Sequence, residues 1–261
     1  MQIEEGEWMP FIKVEGLRKI YRIGSEKVIA LNKIDLSIEK GEICCILGTS
    51  GSGKSTFLNM LAGLEKPSKG QILIGDVDVA KLSERQLAKF RQENTGFIFQ
   101  SYNLLPALTA VENVSLPLMF KGIGKADRNK KSEKMLKAVG LDKRLKHKPN
   151  QMSGGQQQRV GIARAFVAKP NIVFADEPTG NLDTKTTAEV MELMVKMCRK
   201  HNQTLILVTH DVDIAKYADR IVHLIDGNID SDKKNNSIVV KEIIEEIDEE
   251  KVIPQEKEQI Q

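Results

Sequence analysis

Within these 261 residues no apolar run approaches the ~20 needed for a helix to span a bilayer. The chain is therefore expected not to cross a membrane. It has three cysteines, two of them adjacent at Cys44 and Cys45, too few for a disulfide framework. A reducing, cytosolic setting is expected. The first ten residues carry Glu4, Glu5 and Glu7 and no apolar core, so no secretory leader is expected there. No internal repeat of 20–50 residues is visible. Net charge is also scarce, at +3. That figure hides an asymmetry: residues 121–148 hold 11 Lys/Arg against 3 Asp/Glu, and residues 241–261 hold 3 Lys against 8 Asp/Glu. A solvated helical face or contact with anionic lipid both suit the basic stretch.

What is present is an ordinary globular mix, 41% apolar and 29% charged. Three short apolar runs lack alternation: residues 43–47, 172–175 and 205–208. Such runs suit strands buried on both faces of a parallel sheet. Each is followed at once by Gly48, by Asp176 and Glu177, or by Thr209 and His210. In open α/β sheets ligands lie beyond the carboxyl ends of strands, so three segments bring polar groups to one edge. Residues 11–39 alternate in places and suggest a small antiparallel sheet. Helical patterns cover 111–120, 126–139, 156–169 and 184–200. A hairpin is expected around Asp226-Gly227-Asn228.

Gly48-Thr49-Ser50-Gly51-Ser52-Gly53-Lys54-Ser55-Thr56 fits G-x-x-x-x-G-K-[ST], a backbone cradle for phosphate that opens a helix. Lys54 is expected on the β- and γ-phosphates and Ser55 on Mg²⁺. Asp176 is placed to hold the same metal, and Glu177 to orient or polarise the attacking water. His210, at the same sheet edge, suits a contact with the γ-phosphate or that water. Ser153-Gly154-Gly155-Gln156 at a helix start is either a second anion nest, serving a nucleotide held by another copy, or an ordinary helix cap.

This ordered set resembles the nucleotide-binding subunit of an ABC transporter, over residues 11 to 230. Gly48–Thr56 matches the Walker A loop, Ile172–Glu177 the Walker B strand and Ser153–Gln156 the signature motif. Gln100, after Phe97-Ile98-Phe99, resembles the Q-loop, Asn181-Leu182-Asp183 the D-loop, and His210 the switch histidine. Met152 stands where the family usually has leucine, a near-volume-conserving swap. Tyr21 falls where the family stacks an aromatic on adenine. The stretches 97–105, 109–114, 153–160 and 175–183 resemble the MacB/LolD group of macrolide and peptide exporters and lipoprotein-release systems.

The resemblance implies an α/β P-loop cassette: a mostly parallel sheet, an antiparallel β part, and a helical part at about 101–168. Residues 1–10 form an N-terminal extension, and 231–261 an acidic tail that is either disordered or a docking helix with Val240, Ile243, Ile244 and Ile247 on one face. It also implies an ATPase using ATP and Mg²⁺, with Gln100 touching the metal or γ-phosphate and Asp183 reaching across a homodimer. The implied partners are a separate membrane permease and a periplasmic or extracellular accessory protein, without nucleic acid, at the cytoplasmic membrane face. A non-transporting ATPase driving a cell-division or cell-wall partner is the alternative.

Overall fold

The computed structural model describes residues 10–237 and Ile243. Two sheets organise it. One is antiparallel, in the order β2-β1-β4-β5, from β1 (Ile12–Ile23), β2 (Glu26–Ile38), β4 (Lys69–Ile74) and β5 (Val77–Asp78). The other has the order β10-β9-β3-β8-β7-β6, from β3 (Ile43–Leu47), β6 (Thr95–Phe99), β7 (Ile172–Asp176), β8 (Thr204–Thr209), β9 (Arg220–Ile225) and β10 (Asn228–Lys234). Its strands pair in parallel except β10, which folds back on β9 as a hairpin.

Burial explains why the three apolar runs do not alternate. In β3, Ile43, Cys45 and Leu47 enter one core cluster, and Cys44 and Ile46 enter another. Val173 and Ala175 of β7 are likewise divided from Ile172 and Phe174, and Leu205 and Leu207 of β8 from Ile206 and Val208. Both faces of the sheet are dry, so every position is apolar. The second cluster lies toward the antiparallel sheet and includes residues of α1 (Lys54–Leu61) and α2 (Glu84–Asn94). The first packs α3 (Ala110–Phe120), α4 (Lys125–Ala138), α5 (Gly154–Phe166) and α6 (Thr184–His201) against the other face. The inserted helices therefore share one continuous core with the sheet.

Local signals start these helices. Thr109 and Ser153 each form a capping box, with Glu112 and Gln156. Asp183 caps α6 by accepting from the Thr186 amide at 3.1 Å. On α4 the outward positions Lys130, Lys131, Lys134 and Lys137 are exposed, while Ser132 and Leu136 are buried.

The compact part runs past the expected boundary at 230. Strand β10 continues to Lys234, because Asp232 receives Arg220 Nε and Nη2, each at 2.5 Å. The Asn235 amide then donates to the carbonyls of Ala215, Lys216 and Ala218. Of the tail face expected at Val240, Ile243, Ile244 and Ile247, only Ile243 lies within the described residues, and it is buried in the larger core cluster. The first nine residues of the expected extension lie outside them. Among the described residues, no helix is long and apolar enough to cross a membrane.

Candidate functional site

Strand β3 ends at Leu47, and residues 48–53 turn into α1. Gly51 and Gly53 adopt φ of 82° and 101°, the left-handed region that favours glycine. A Cβ on Gly53 would sit 2.5 Å from the Ala30 carbonyl oxygen, and one on Gly48 would sit 2.3 Å from that of Leu224. The loop is pinned from outside: the Gly48 amide donates to Thr209, and the Gly227 amide donates to Ser52. Gly53 supplies no side chain to cap α1. The first amides of this helix are thus left for an anion, unlike those of α5 and α6. Lys54 is buried against the loop and donates to the Thr49 carbonyl at 2.8 Å. The Ser52 hydroxyl is buried in the same turn without a partner. An amide-lined cradle with one cation and an unpartnered hydroxyl fits a nucleotide phosphate chain.

The strand order places β8 and then β7 beside β3, so their ends flank the cradle. Ser55 Oγ donates to Asp176 Oδ1 at 3.2 Å. Burial pushes the Asp176 carboxyl above its ordinary value, and neighbouring Glu177 adds to this, while the Ser55 hydrogen bond and Lys54 oppose it. A hydroxyl and one carboxylate are hard oxygen donors of the kind that would hold Mg²⁺. Among the described residues no group of three or more His, Cys, Asp or Glu side chains offers an alternative metal cage.

Glu177 adopts a left-handed conformation, φ 46°, and its N–H donates to the Val208 carbonyl at 2.9 Å. One carboxylate oxygen meets His210 Nδ1 at 2.8 Å and the other accepts from Thr209 Oγ1 at 3.3 Å. A carboxylate only accepts, so Nδ1 carries the proton in this contact. Cys45 lies in this core too, and burial pushes its thiol up to about 12, which removes it from chemistry near neutral pH.

Gln100 follows β6, whose last residue Phe99 is in register with Asp176. Its side chain lies against Gly180, where a Cβ would come within 2.7 Å of Nε2, and Asn181 donates to its carbonyl at 3.0 Å. Tyr21 on β1 is half-buried; its hydroxyl donates to Glu65 at 2.7 Å and also meets the side chain of Thr56. Lys19 stands 5.1 Å from the ring centroid.

The Ser153–Gln156 turn lies elsewhere. It opens α5, which packs on β6, and β6 is three strand spacings from β3, about 14 Å of sheet. A Cβ on Gly154 would come within 2.8 Å of the Tyr102 hydroxyl, and one on Gly155 within 2.5 Å of Thr186 Cγ2. Ser153 and Asp183 are both exposed and both cap their own helices within the chain. The sequence placed Gln158 and Asn113 only within stretches that resemble the MacB/LolD group, with no role for either, and did not single out Arg164. Asn113 is fully buried and its amide donates to the carbonyls of Leu105, Leu108 and Thr109.

Comparison with known proteins agrees with this geometry. Residues 31–180 match the ABC transporter family profile. An uncharacterized ABC transporter ATP-binding protein of Methanocaldococcus jannaschii is 44% identical over 227 residues, 85% of this chain and 97% of that one. The lipoprotein-releasing system ATP-binding protein LolD of Legionella pneumophila is 47% identical, covering 82% of this chain and 94% of that one. The macrolide export ATP-binding/permease protein MacB of Vibrio parahaemolyticus is 46% identical over 88% of this chain; the chain spans 35% of its length. A dimeric, post-hydrolysis structure of the cassette MJ0796 bound to ADP and Pi superposes with a TM-score of 0.80. It is 42% identical and covers 87% of this chain and 100% of its own. The chain belongs to the ABC transporter family, as an ATP-binding, ATP-hydrolysing cassette related to the MacB and LolD components.

Proposed function

We propose that this ATPase works as a homodimer beneath a separate membrane permease, powering export or extraction of the MacB/LolD kind from the cytoplasmic face. The observation that carries the catalytic part is the pairing of two contacts at neighbouring strand ends. Ser55 meets Asp176, and Glu177 meets His210, beside the phosphate cradle.

In this reading Gly48, Ser50, Gly51, Ser52 and Gly53 present backbone amides to the phosphates, with Lys54 and Thr56 at the helix start. Preorganised donors of this kind stabilise charge that develops on the γ-phosphate. Ser55, Asp176 and Gln100 would hold Mg²⁺, which supplies charge neutralisation when bound. Glu177 accepts the proton of the attacking water, ADP and phosphate leave, and His210 holds the Glu177 carboxylate in place. Tyr21 offers a ring to the adenine.

The second copy enters because Ser153, Gly154, Gly155 and Gln156 lie far along the sheet from the cradle of their own chain. The exposed Ser153 and the two half-buried glycines behind it suit a nucleotide held by a partner, and exposed Asp183 is placed to cross the same interface. The dimeric state of the related cassette supports this arrangement. A cleft of about 640 Å³ supports the permease. It is lined by Phe97, Phe99, Pro117, Phe120 and Arg164, and Phe120 is 67% exposed at its rim. A largely apolar cleft lined by Phe99, the residue before Gln100, suits an apolar segment of a partner. The names of the LolD and MacB relatives point to the same kind of partner. A periplasmic or extracellular accessory protein would join such a permease.

Purification of the tagged chain from its native membranes tests the assignment. Co-purification of a MacB/LolD-type permease with ATPase activity is expected. A chain that leaves the membrane alone, with no permease at any detergent concentration, would contradict it.

A further inference from the structure

The N-terminal half of α5 carries a buried amide that the hydrolytic machinery above does not use. Gln158 lies one turn past Gly154, about 6 Å along the helix axis, and is fully buried. Its Nε2 donates to the Phe99 carbonyl at 3.4 Å and, at short range, to that of Pro178. Phe99 is the last residue before Gln100. Pro178 directly follows Glu177 and precedes the segment 179–183. One side chain on the signature helix therefore holds the ends of two neighbouring strands, on each of which a site residue is mounted.

The orientation of this amide is fixed by chemistry. Turning it over would set Oε1 against two carbonyl oxygens. As it stands, Oε1 is buried with no partner. A buried acceptor without a partner is destabilising, so the side chain is not explained as simple filling between Ile162 and the sheet.

A second side chain of α5 acts on the same loop. Arg164 donates to the carbonyls of Tyr102 at 2.8 Å and Asn103 at 2.5 Å. Those two residues hold φ of 59° and 47°, a conformation that costs energy without glycine and persists only when surroundings impose it. From the other side Asn181 donates to Gln100 at 3.0 Å. The loop 99–103 is thus clamped at its start by Gln158, at its end by Arg164 and in the middle by Asn181.

We infer that Gln158 is a positioning residue for ATP hydrolysis: it transmits the engagement of the α5 N-terminus to Gln100 and to the Glu177–Asp183 segment together. Resting on the dimer reading above, the inference adds the link by which a nucleotide bound at Ser153–Gln156 would set residues mounted on β6 and β7. Gln158 is fully buried and so is withheld from direct contact with a nucleotide. Its loss should therefore lower turnover without lowering affinity.

The test compares Gln158→Met, a near-isosteric side chain without a donor, with wild type in the full-length chain. Binding of a fluorescent ATP analogue, kcat and KM, and the melting temperature are measured for each. We expect analogue affinity and KM within about threefold of wild type, and kcat lower by about tenfold or more. A kcat within about twofold of wild type would overturn the inference, as would a loss of kcat matched by an equal loss of affinity. Should Gln158→Met fail to fold, Gln158→Asn is judged by the same two criteria, since its amide is one methylene too short to reach both carbonyls. Ser153→Arg, which blocks the signature turn, separates the two layers of the argument. If it leaves ATPase activity unchanged, the dimer reading has failed. If it abolishes activity while Gln158→Met does not reduce kcat, only the positioning role has failed.

Discussion

The carboxylate of Glu177 and the imidazole of His210 meet at 2.8 Å, across adjacent strand ends of one parallel sheet. Glu177 is the more buried partner, with a side chain 17% exposed against 64% for His210. In the proposed mechanism the histidine acts from the solvent side, as a prop on the more buried carboxylate. His210→Ala should leave ATP affinity near wild type and reduce kcat by about 10²-fold, the usual size of a lost orienting or acid–base contact. Single-turnover phosphate release, which isolates chemistry from binding, reads this directly. An unchanged single-turnover rate would show that Glu177 needs no prop.

Gly53→Ala probes the cradle. At φ 101° with the Ala30 carbonyl 2.5 Å from the added Cβ, alanine requires the turn to move. Strain at such a site costs on the order of 1–3 kcal/mol. Nucleotide affinity should fall by more than tenfold, about 1.4 kcal/mol, with a lower melting temperature. Isothermal titration and thermal melts check the two effects together.

Tyr21→Ala tests the adenine contact. The Glu65 hydrogen bond and the Lys19 contact fix the ring on β1. Removing it should weaken nucleotide binding by about 1 kcal/mol if the ring stacks on a base. Comparing ATP with inorganic triphosphate by titration discriminates: only ATP should lose affinity.

The thiols offer a packing test. Cys44, Cys45 and Cys198 are all buried, and burial raises each above the ordinary thiol range, to about 12 for Cys45 and Cys198. A raised value means less thiolate at any given pH, and thiolate is the reactive form. None of the three should react with iodoacetamide at pH 8 in the folded protein, and all three should react in denaturant. Mass spectrometry counts the adducts.

The site was legible because its residues sit in sequence directly after unbroken apolar runs. Strands β3, β7 and β8 are dry on both faces, so their ends at Gly48, Asp176 and Thr209 stood out. Strand β6 did not, because Thr95-Gly96 interrupts so short a run. Helix α2 was missed as well: only Leu87 and Phe90 are buried in it. The hairpin at 226–228 was visible from its turn residues. The length of β10 was not, because it depends on Asp232 meeting Arg220 across the ladder. Gln158 carried a faint signal, an amide at i, i+4 and i+8 with Ile162 and Phe166, on a stripe that is otherwise apolar. Its two carbonyl partners are 59 and 20 residues away, and only folding brings them together.

In the proposed cycle two copies close around ATP, with the cradle of one chain facing the signature turn of the other, and Glu177 ends this state by promoting hydrolysis. Sedimentation velocity of Glu177→Gln in millimolar MgATP tests it most directly. The expected result is ATP-dependent conversion to a stable dimer holding two ATP per pair, with hydrolysis almost abolished and reversal on ATP removal. A variant that binds ATP yet stays monomeric, or that hydrolyses it at the wild-type rate, would overturn the proposed cycle.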